Sequence, residues 1–446
     1  MANFQAMKLF VRVVDLGSFS KAAADAGTPL VVLVQPPGAC KAFTRSQSVY
    51  PPLGLCQLAA TVPSDEVAVL DADGLGLDAE RAHALIRALR PKLVGLTVTS
   101  YTLELVETFA APLKESGIAI AVGGPHASLA PLDVLARCPS VDYVVRGEGE
   151  VIFPEICARL RSGASLVGLP GLCAQGDGKD AHLDPTILQV QDFAALPFPR
   201  LCGLPLPQYF CPDAKQRPMV TMMTTRGCPH RCGFCSSPAV MGKKVRGPAV
   251  PAVLDELVRL AAEQGVREVS FVDDVFTINP RRTLALCRGL VERGLRLSWF
   301  CNARADQITA DMAEVMAAAG CHQVYLGFES GSQDILDRIH KGATVEELVR
   351  GAELLKAAGI ARSVGFVLGL PGESDETVAA SIRLAQRVRP ERLQFTRFTP
   401  LVGSPLHDFR PLGRAGFHQR GSDPVGAWIA RAYAECSGPG WGRESW

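Results

Sequence analysis

The chain of 446 residues contains no run of the roughly 18 apolar residues that a membrane-spanning helix requires. No apolar core with a small-residue cleavage site opens it, so no secretory leader is expected. Charge of one sign is not in excess: 46 Lys and Arg face 45 Asp and Glu, a formal net charge of +1. Proteins that grip a nucleic-acid backbone usually show a basic surplus, so that partner class is not expected. Histidine is sparse, eight in all, with none before His83. No internal repeat of solenoid period is present. What is plentiful is apolar. Hydrophobic residues make up 48% and charged residues 20%, enough to bury a core in two or three domains.

The 14 cysteines are a mild excess. Cys56, Cys157, Cys173, Cys287, Cys301 and Cys321 stand singly in apolar surroundings and read as buried small hydrophobes. A long chain without export signals is not a disulfide-stapled secreted domain, and the reducing cytoplasm is the expected compartment.

From residue 30 onward, short apolar runs alternate with helical patterns. Strands are expected at 30–36, 67–70, 93–99, 118–122 and 141–145, with helices at 77–89 and 103–115 between them. That alternation predicts an α/β fold with an open, doubly wound, Rossmann-like sheet over 28–162. Residues 163–215 are rich in Pro and Gly and read as an irregular segment plus linker. A second series follows, with strands at 220–225, 268–272, 295–302, 323–328, 362–368 and 392–398. Six strand–helix units over 216–410 suggest a partial (β/α)6 barrel, short of the eight-unit form. The tail at 411–446 holds one amphipathic stretch, 427–434, between Gly-rich ends. It is expected to pack poorly, as after a truncation or frame shift.

Residues 1–27 stand apart. Phe4, Met7, Phe10, Val11 and Val14 have helical spacing. The segment resembles the opening of LysR-type winged-helix regulators, but the resemblance stops at Gly27. A helix-turn-helix without its second helix cannot enter a major groove, so a fusion remnant is expected.

The stretch RGCPHRCGFC, residues 226–235, spaces its cysteines C-x3-C-x2-C. It follows the first strand of the second series, and parallel-barrel sites sit at such strand ends. A structural zinc site asks for four closed ligands, and no second C-x2-C pair exists. A redox dithiol needs only two cysteines. A cubane cluster fully held by protein takes four thiolates. Three thiolates leave one iron open to a substrate or cofactor.

The spacing Cys228, Cys232, Cys235, with Phe234 before the last cysteine, resembles the signature of radical S-adenosylmethionine (SAM) enzymes. The resemblance implies a [4Fe-4S] cluster on these three residues and SAM chelated to the open iron. Reductive cleavage would then give a 5′-deoxyadenosyl radical, with flavodoxin or ferredoxin as an electron donor. It also implies SAM contacts at successive strand ends: Asp273 and Asp274 in FVDDVF near the methionyl amine, Arg304 in CNARAD on the carboxylate, and Glu329 in GFESG on the ribose. The backbone near Val367 and Leu368 in GFVLGLPGE would hold the adenine.

The preceding sheet is similar to the cobalamin-binding domain of one large radical SAM class. QPPG, VYPPLGL, VGGPHAS and VVRGEGE carry the likeness, which covers roughly residues 30–410. It implies cobalamin contacts at Thr97, Thr99 and Ser100 in GLTVTSYT and at Gly123, Gly124 and His126 in VGGPHAS. The Asp-x-His-x-x-Gly loop of other cobalamin domains is absent after residue 35, so no histidine from that loop can ligate cobalt. His126 is expected to touch the nucleotide tail or to be an internally satisfied histidine.

Three functions follow. The first is a cobalamin-dependent radical SAM enzyme acting on a small-molecule substrate by methyl or alkyl transfer, with oxidative cyclisation of the anaerobic Mg-protoporphyrin monomethyl ester cyclase type as the alternative. QFTRFTPLVGSPLHD suits both chemistries. The second is a cobalamin-sensing DNA-binding regulator, which would have no use for the three cysteines. The third is a trimmed family member that cleaves SAM without turnover.

Overall fold

Strands made of continuous Val, Ile and Leu runs must be covered on both faces, and parallel sheets supply that cover. A computed structural model describes residues 28–40, 48–176, 181–201, 203–409 and 423–437 of the chain. It divides into two compact units, Met1–Cys211 and Pro212–Trp446. The LysR-like stretch at 1–27 lies outside the described residues.

In the first unit the strands are β1 (Val31–Gln35), β2 (Val67–Asp71), β3 (Leu93–Thr97), β4 (Ala119–Gly123), β5 (Tyr143–Val145) and β6 (Leu172–Ala174). Their order is β2-β1-β3-β4-β5-β6. The chain leaves β1 for β2 and then crosses back to β3 on the other side of β1. That reversal is a topological switch point, where open α/β sheets bind ligands. Alternate residues feed two cores. Val32, Val34, Val94, Leu96, Ile120 and Val122 pack with helices Ala79–Leu89 and Leu103–Glu115. Val31, Leu33 and Leu93 pack on the opposite face with Leu55 and Ile156 from helices Leu53–Ala60 and Phe153–Ser162. The sheet is therefore doubly wound, as the alternation predicts. The helix at Ala79–Leu89 starts where Asp78 accepts a hydrogen bond from the Arg81 N–H at 2.8 Å, an N-cap.

The second unit carries β7 (Met219–Met222), β8 (Glu268–Phe271), β9 (Ser298–Ala303), β10 (Cys321–Glu329), β11 (Ala361–Leu368) and β12 (Arg392–Arg397). These form one sheet in chain order, every pair parallel, the wall of a partial (β/α)6 barrel. Val324, Leu326, Phe328, Val364 and Phe366 are fully buried. The alternating positions Tyr325, Gly327 and Val367 are partly exposed and line the other face.

Two expectations are corrected. Residues beyond Ser162 are not merely linker, because β6 joins β5 antiparallel and the first compact unit extends to Cys211. Three residues are too few to show periodicity, which is why the sequence hides this strand. Within the tail, the described residues 423–437 are not poorly packed either. A helix at Pro424–Glu435 buries Val425, Gly426, Ile429 and Ala432. Its Asp423 N-cap accepts from Arg397 Nη2 at 2.8 and 3.0 Å. The Tyr433 hydroxyl accepts from the Phe395 N–H at 3.0 Å, meeting the backbone of β12, the last strand of its sheet. Edge strands need such cover.

Replacing Ile429 by Ala tests this docking. A buried Ile→Ala change is expected to cost about 2–5 kcal/mol, whereas a solvated helix would lose within about 0.5 kcal/mol. Urea denaturation of the two proteins separates these outcomes.

Candidate active site

The three-cysteine loop leaves the C-terminal end of β7 and is pinned at both flanks. Arg226 and Arg246 exchange backbone hydrogen bonds at 2.8 and 2.9 Å. The Cys228 N–H donates to the Gly242 carbonyl at 3.1 Å, the Gly233 N–H to Ile339 at 2.7 Å, and the Leu406 N–H to Gly233 at 2.9 Å. Gly227 has φ +93, and a Cβ there would lie 2.3 Å from the Lys244 carbonyl oxygen. Only glycine fits that approach.

Cys228 is buried, and Cys232 and Cys235 are partly exposed. Burial pushes the Cys235 thiol up to about 11, against a backbone hydrogen bond from Ser237. Burial raises Cys228 as well. Without a metal the pocket therefore favours thiols, and bound cations are what would turn them into thiolate ligands. Among the described residues no three His, Cys, Asp or Glu converge as ligands of a single ion. A cubane, whose corner irons lie apart, does not ask for that convergence. The donor set fits such a cluster.

Asp273, 0% exposed, accepts from the Thr224 N–H at 2.5 Å, Thr224 Oγ1 at 2.6 Å and Thr225 Oγ1 at 3.0 Å. Both carboxylate oxygens are used inside the protein. This corrects the expectation that Asp273 meets an amine: it braces the start of the cysteine loop instead. Asp274 is exposed and accepts from Ser237 Oγ at 2.5 Å, just past the cysteine loop.

Arg304 also departs from expectation. Its Nε and Nη2 donate to Asp306 at 3.0 and 3.1 Å, and Nη2 also donates to the Lys341 carbonyl at 2.7 Å. One of the two bidentate edges of the guanidinium, Nε with Nη2, is thus filled by Asp306. The remaining nitrogen, Nη1, donates toward Cys232 Sγ at 3.6 Å.

Glu329 ends β10 with φ 65, a left-handed backbone that costs a non-glycine residue of order 1–3 kcal/mol. Its Oε1 accepts from Lys341 Nζ at 2.8 Å, and both residues are under 10% exposed. The Lys341 ammonium lies 5.9 Å from the centroid of the Phe234 ring, near the outer limit of a cation–π contact. Lys341, Asp306 and Gln307, whose Nε2 meets His230 Nε2 at 3.1 Å, escaped the sequence reading. Their spacing from the cysteines carries no signal, since they reach the loop from other strand ends.

On β11 the ladder to β10 stops at Phe366, whereas the ladder to β12 runs on to Leu368. Leu368 accepts from the Phe398 N–H at 2.7 Å on the β12 side. Backbone groups alternate in direction along a strand, so those of Val367 point to the β10 side, at the end of that ladder. Past this point, Glu373 turns its Oε2 onto the Gly369 and Leu370 N–H groups, while its buried Oε1 has no partner among the described residues.

In the first unit, the expected contacts gather at the ends of β3 and β4. Gly124 has φ +106, and a Cβ there would stand 2.9 Å from both Thr97 Cγ2 and the Val98 carbonyl oxygen. At Gly123 the nearest atom would be 3.9 Å away, leaving room beside the strand end. The Thr99 and Thr102 hydroxyls lie 3.1 Å apart. His126 is 5% exposed, with Nδ1 2.9 Å from Ser100 Oγ and Nε2 2.8 Å from Asp133 Oδ2. Both imidazole nitrogens have protein partners, so His126 is internally satisfied and shapes the edge. Ser128, the last residue of VGGPHAS, accepts from the Gly147 N–H at 2.9 Å and so ties that stretch to VVRGEGE.

Comparison with known proteins agrees with this geometry. Residues 222–385 match the Radical SAM superfamily model, and residues 41–157 match the B12 binding domain model. The chain is 34% identical over 383 residues to the uncharacterized methyltransferase PH0819 of Pyrococcus horikoshii, covering 85% of this chain and 82% of that one. It is 27% identical over 382 residues to the anaerobic magnesium-protoporphyrin IX monomethyl ester cyclase of Rubrivivax gelatinosus, covering 82% of this chain but 66% of that one. The fold is similar to that of TsrM from Kitasatospora setae, a radical SAM methyltransferase solved with tryptophan and a SAM analogue, at TM-score 0.69 and 21% identity, covering 85% of this chain and 75% of that one.

Glu373 makes stability depend on pH. Burial pushes its carboxyl from 4.5 up to about 7. The folded state then holds a proton that the unfolded chain releases, so the contribution is complete below pH 4.5 and is lost as pH rises through 7. Glu373→Gln is expected to remove that slope. Relative to the variant, the parent protein should lose up to roughly 3 kcal/mol between pH 5 and 8, read from urea midpoints. Parallel curves would show that Glu373 is already ionised at pH 5.

Proposed function

Because the chain belongs to the radical SAM enzymes that carry a B12 binding domain ahead of the barrel, we propose that it transfers a methyl or alkyl group to a carbon of a small-molecule substrate. When bound, the [4Fe-4S] cluster and SAM supply a 5′-deoxyadenosyl radical and cobalamin supplies the group carrier. The observation that carries the reading is the loop at the end of β7, which offers Cys228, Cys232 and Cys235 and no fourth thiolate. The kinship with PH0819, named as a methyltransferase, favours group transfer. The weaker likeness to the Rubrivivax cyclase keeps oxidative ring formation as the second reading.

In this reading the three cysteines hold three irons and leave the fourth for SAM. The backbone at Val367 and Leu368, at the end of the ladder, meets the adenine. Glu329 offers its second oxygen, Oε2, to the ribose while Lys341 holds Oε1 in place. Asp274 is the acid that faces the methionyl amine, in place of Asp273. Thr97, Gly123 and Gly124 form the strand-end edge against which cobalamin rests, with Thr99, Ser100 and His126 bracing it from behind. No helix among the described residues is long and apolar enough to cross a membrane. The reducing cytoplasm, with flavodoxin or ferredoxin as electron donor, suits this chemistry.

Two measurements test the proposal. Anaerobically reconstituted Cys232→Ala is expected to lose the broad iron–sulfur absorbance and all 5′-deoxyadenosine formation. Cys287→Ala, whose thiol is fully buried elsewhere, should keep both; identical behaviour of the two variants would refute the ligand assignment. Incubation with SAM carrying a CD3 group, followed by mass analysis of the cobalamin fraction, should find the label there. Robust SAM cleavage with no label on cobalamin would favour the cyclase reading.

A further inference from the structure

We propose that Arg304 is a positioning residue for the cluster, its guanidinium held against the Cys232 sulfur so that the reduced cluster is stabilised. This deepens the function proposed above and rests on Cys232 being an iron ligand.

Arg304 follows β9 directly and is 5% exposed. A desolvated cation survives only where its hydrogen bonds and counter-charge are supplied, and here they come from one side. Asp306 takes Nε and Nη2, and the Lys341 carbonyl takes Nη2 again. These bonds fix the planar fork in orientation and leave Nη1 directed at Cys232 Sγ, 3.6 Å away. The backbone behind it is held as well. Gly351 packs so closely on Ala305 that a Cβ there would meet the Ala305 carbonyl oxygen at 2.0 Å.

The chemical consequence follows from charge. A cluster that gains one electron from a low-potential donor becomes more negative, and part of that charge resides on its thiolate sulfurs. An N–H donor and a fixed positive charge beside one sulfur favour the reduced form, as hydrogen bonds to cluster sulfurs generally do. No bond is made or broken at Arg304. Its effect is on how readily the electron enters. The Asp306 clamp occupies the Nε/Nη2 edge, one of the two through which a guanidinium can grip a SAM carboxylate.

The test uses the full chain, reconstituted anaerobically, as the parent protein, Arg304→Met and Arg304→Lys. Midpoint potentials are measured by titration monitored by electron paramagnetic resonance, and SAM affinity by equilibrium binding to the oxidised protein. In Arg304→Met the ratio of reduced to oxidised cluster at a fixed poise is expected to fall about tenfold, 59 mV for a one-electron couple. SAM affinity should stay within about twofold. Arg304→Lys keeps the charge but loses the fork, and should shift the potential the same way by less. An unchanged potential in Arg304→Met overturns the proposal, and a loss of SAM affinity at constant potential reassigns Arg304 to the cosubstrate. If Arg304→Met does not retain a cluster, Arg304→Lys decides: a lowered potential supports the proposal, and an unchanged one overturns it. Failure of the ligand reading itself appears separately, as a normal cluster in Cys232→Ala.

Discussion

The site depends on one sealed carboxylate. Asp273, shut off from water at the end of β8, stays in place because Thr224 and Thr225 satisfy both of its oxygens. That arrangement joins the ends of two neighbouring strands and sets the direction in which the cysteine loop departs. Arg282 adds a second tie from the following helix, donating to the Thr224 carbonyl at 3.0 Å and the Pro248 carbonyl at 2.8 Å. A buried polar network costs much to break and so fixes a single geometry. Cluster ligands need that rigidity, since a loop free to wander would not present three sulfurs at once.

A second network of the same kind covers the other side of the loop. Glu329 and Lys341 pair below the protein surface, Lys341 sits near Phe234, and the Lys341 carbonyl anchors Arg304. Asp306 completes it. Charged side chains at the ends of β9 and β10 are therefore committed mostly to one another. Asp273 and Arg304, expected to touch a cofactor, hold neighbouring parts of the protein instead. Such division is common in sites that must be preorganised, where outer partners orient the inner ones.

The barrel wall solves a different problem. An open parallel sheet leaves a strand edge, and unpaired backbone groups there invite aggregation. The helix at Pro424–Glu435 meets this need through Tyr433 on Phe395 and Asp423 on Arg397. A weakly amphipathic tail thus contributes to the stability of the unit that bears the cysteines.

The two alternating series, the doubly wound sheet, the six-strand wall and the three-cysteine loop were legible in the sequence, because each is written locally. Apolar runs of strand length, helical periodicity and a fixed cysteine spacing need no knowledge of distant partners. Strand β6 was hidden by its brevity, and the docked tail by the distance of its partners, Arg397 and Phe395, along the chain. The roles of Asp273, Arg304 and His126 belonged to the tertiary structure alone. Each is a polar side chain at a strand end, and sequence cannot say which of several neighbours will take its hydrogen bonds. Folding decides that by bringing Thr224, Asp306, Lys341, Ser100 and Asp133 within reach, and burial then makes those bonds obligatory.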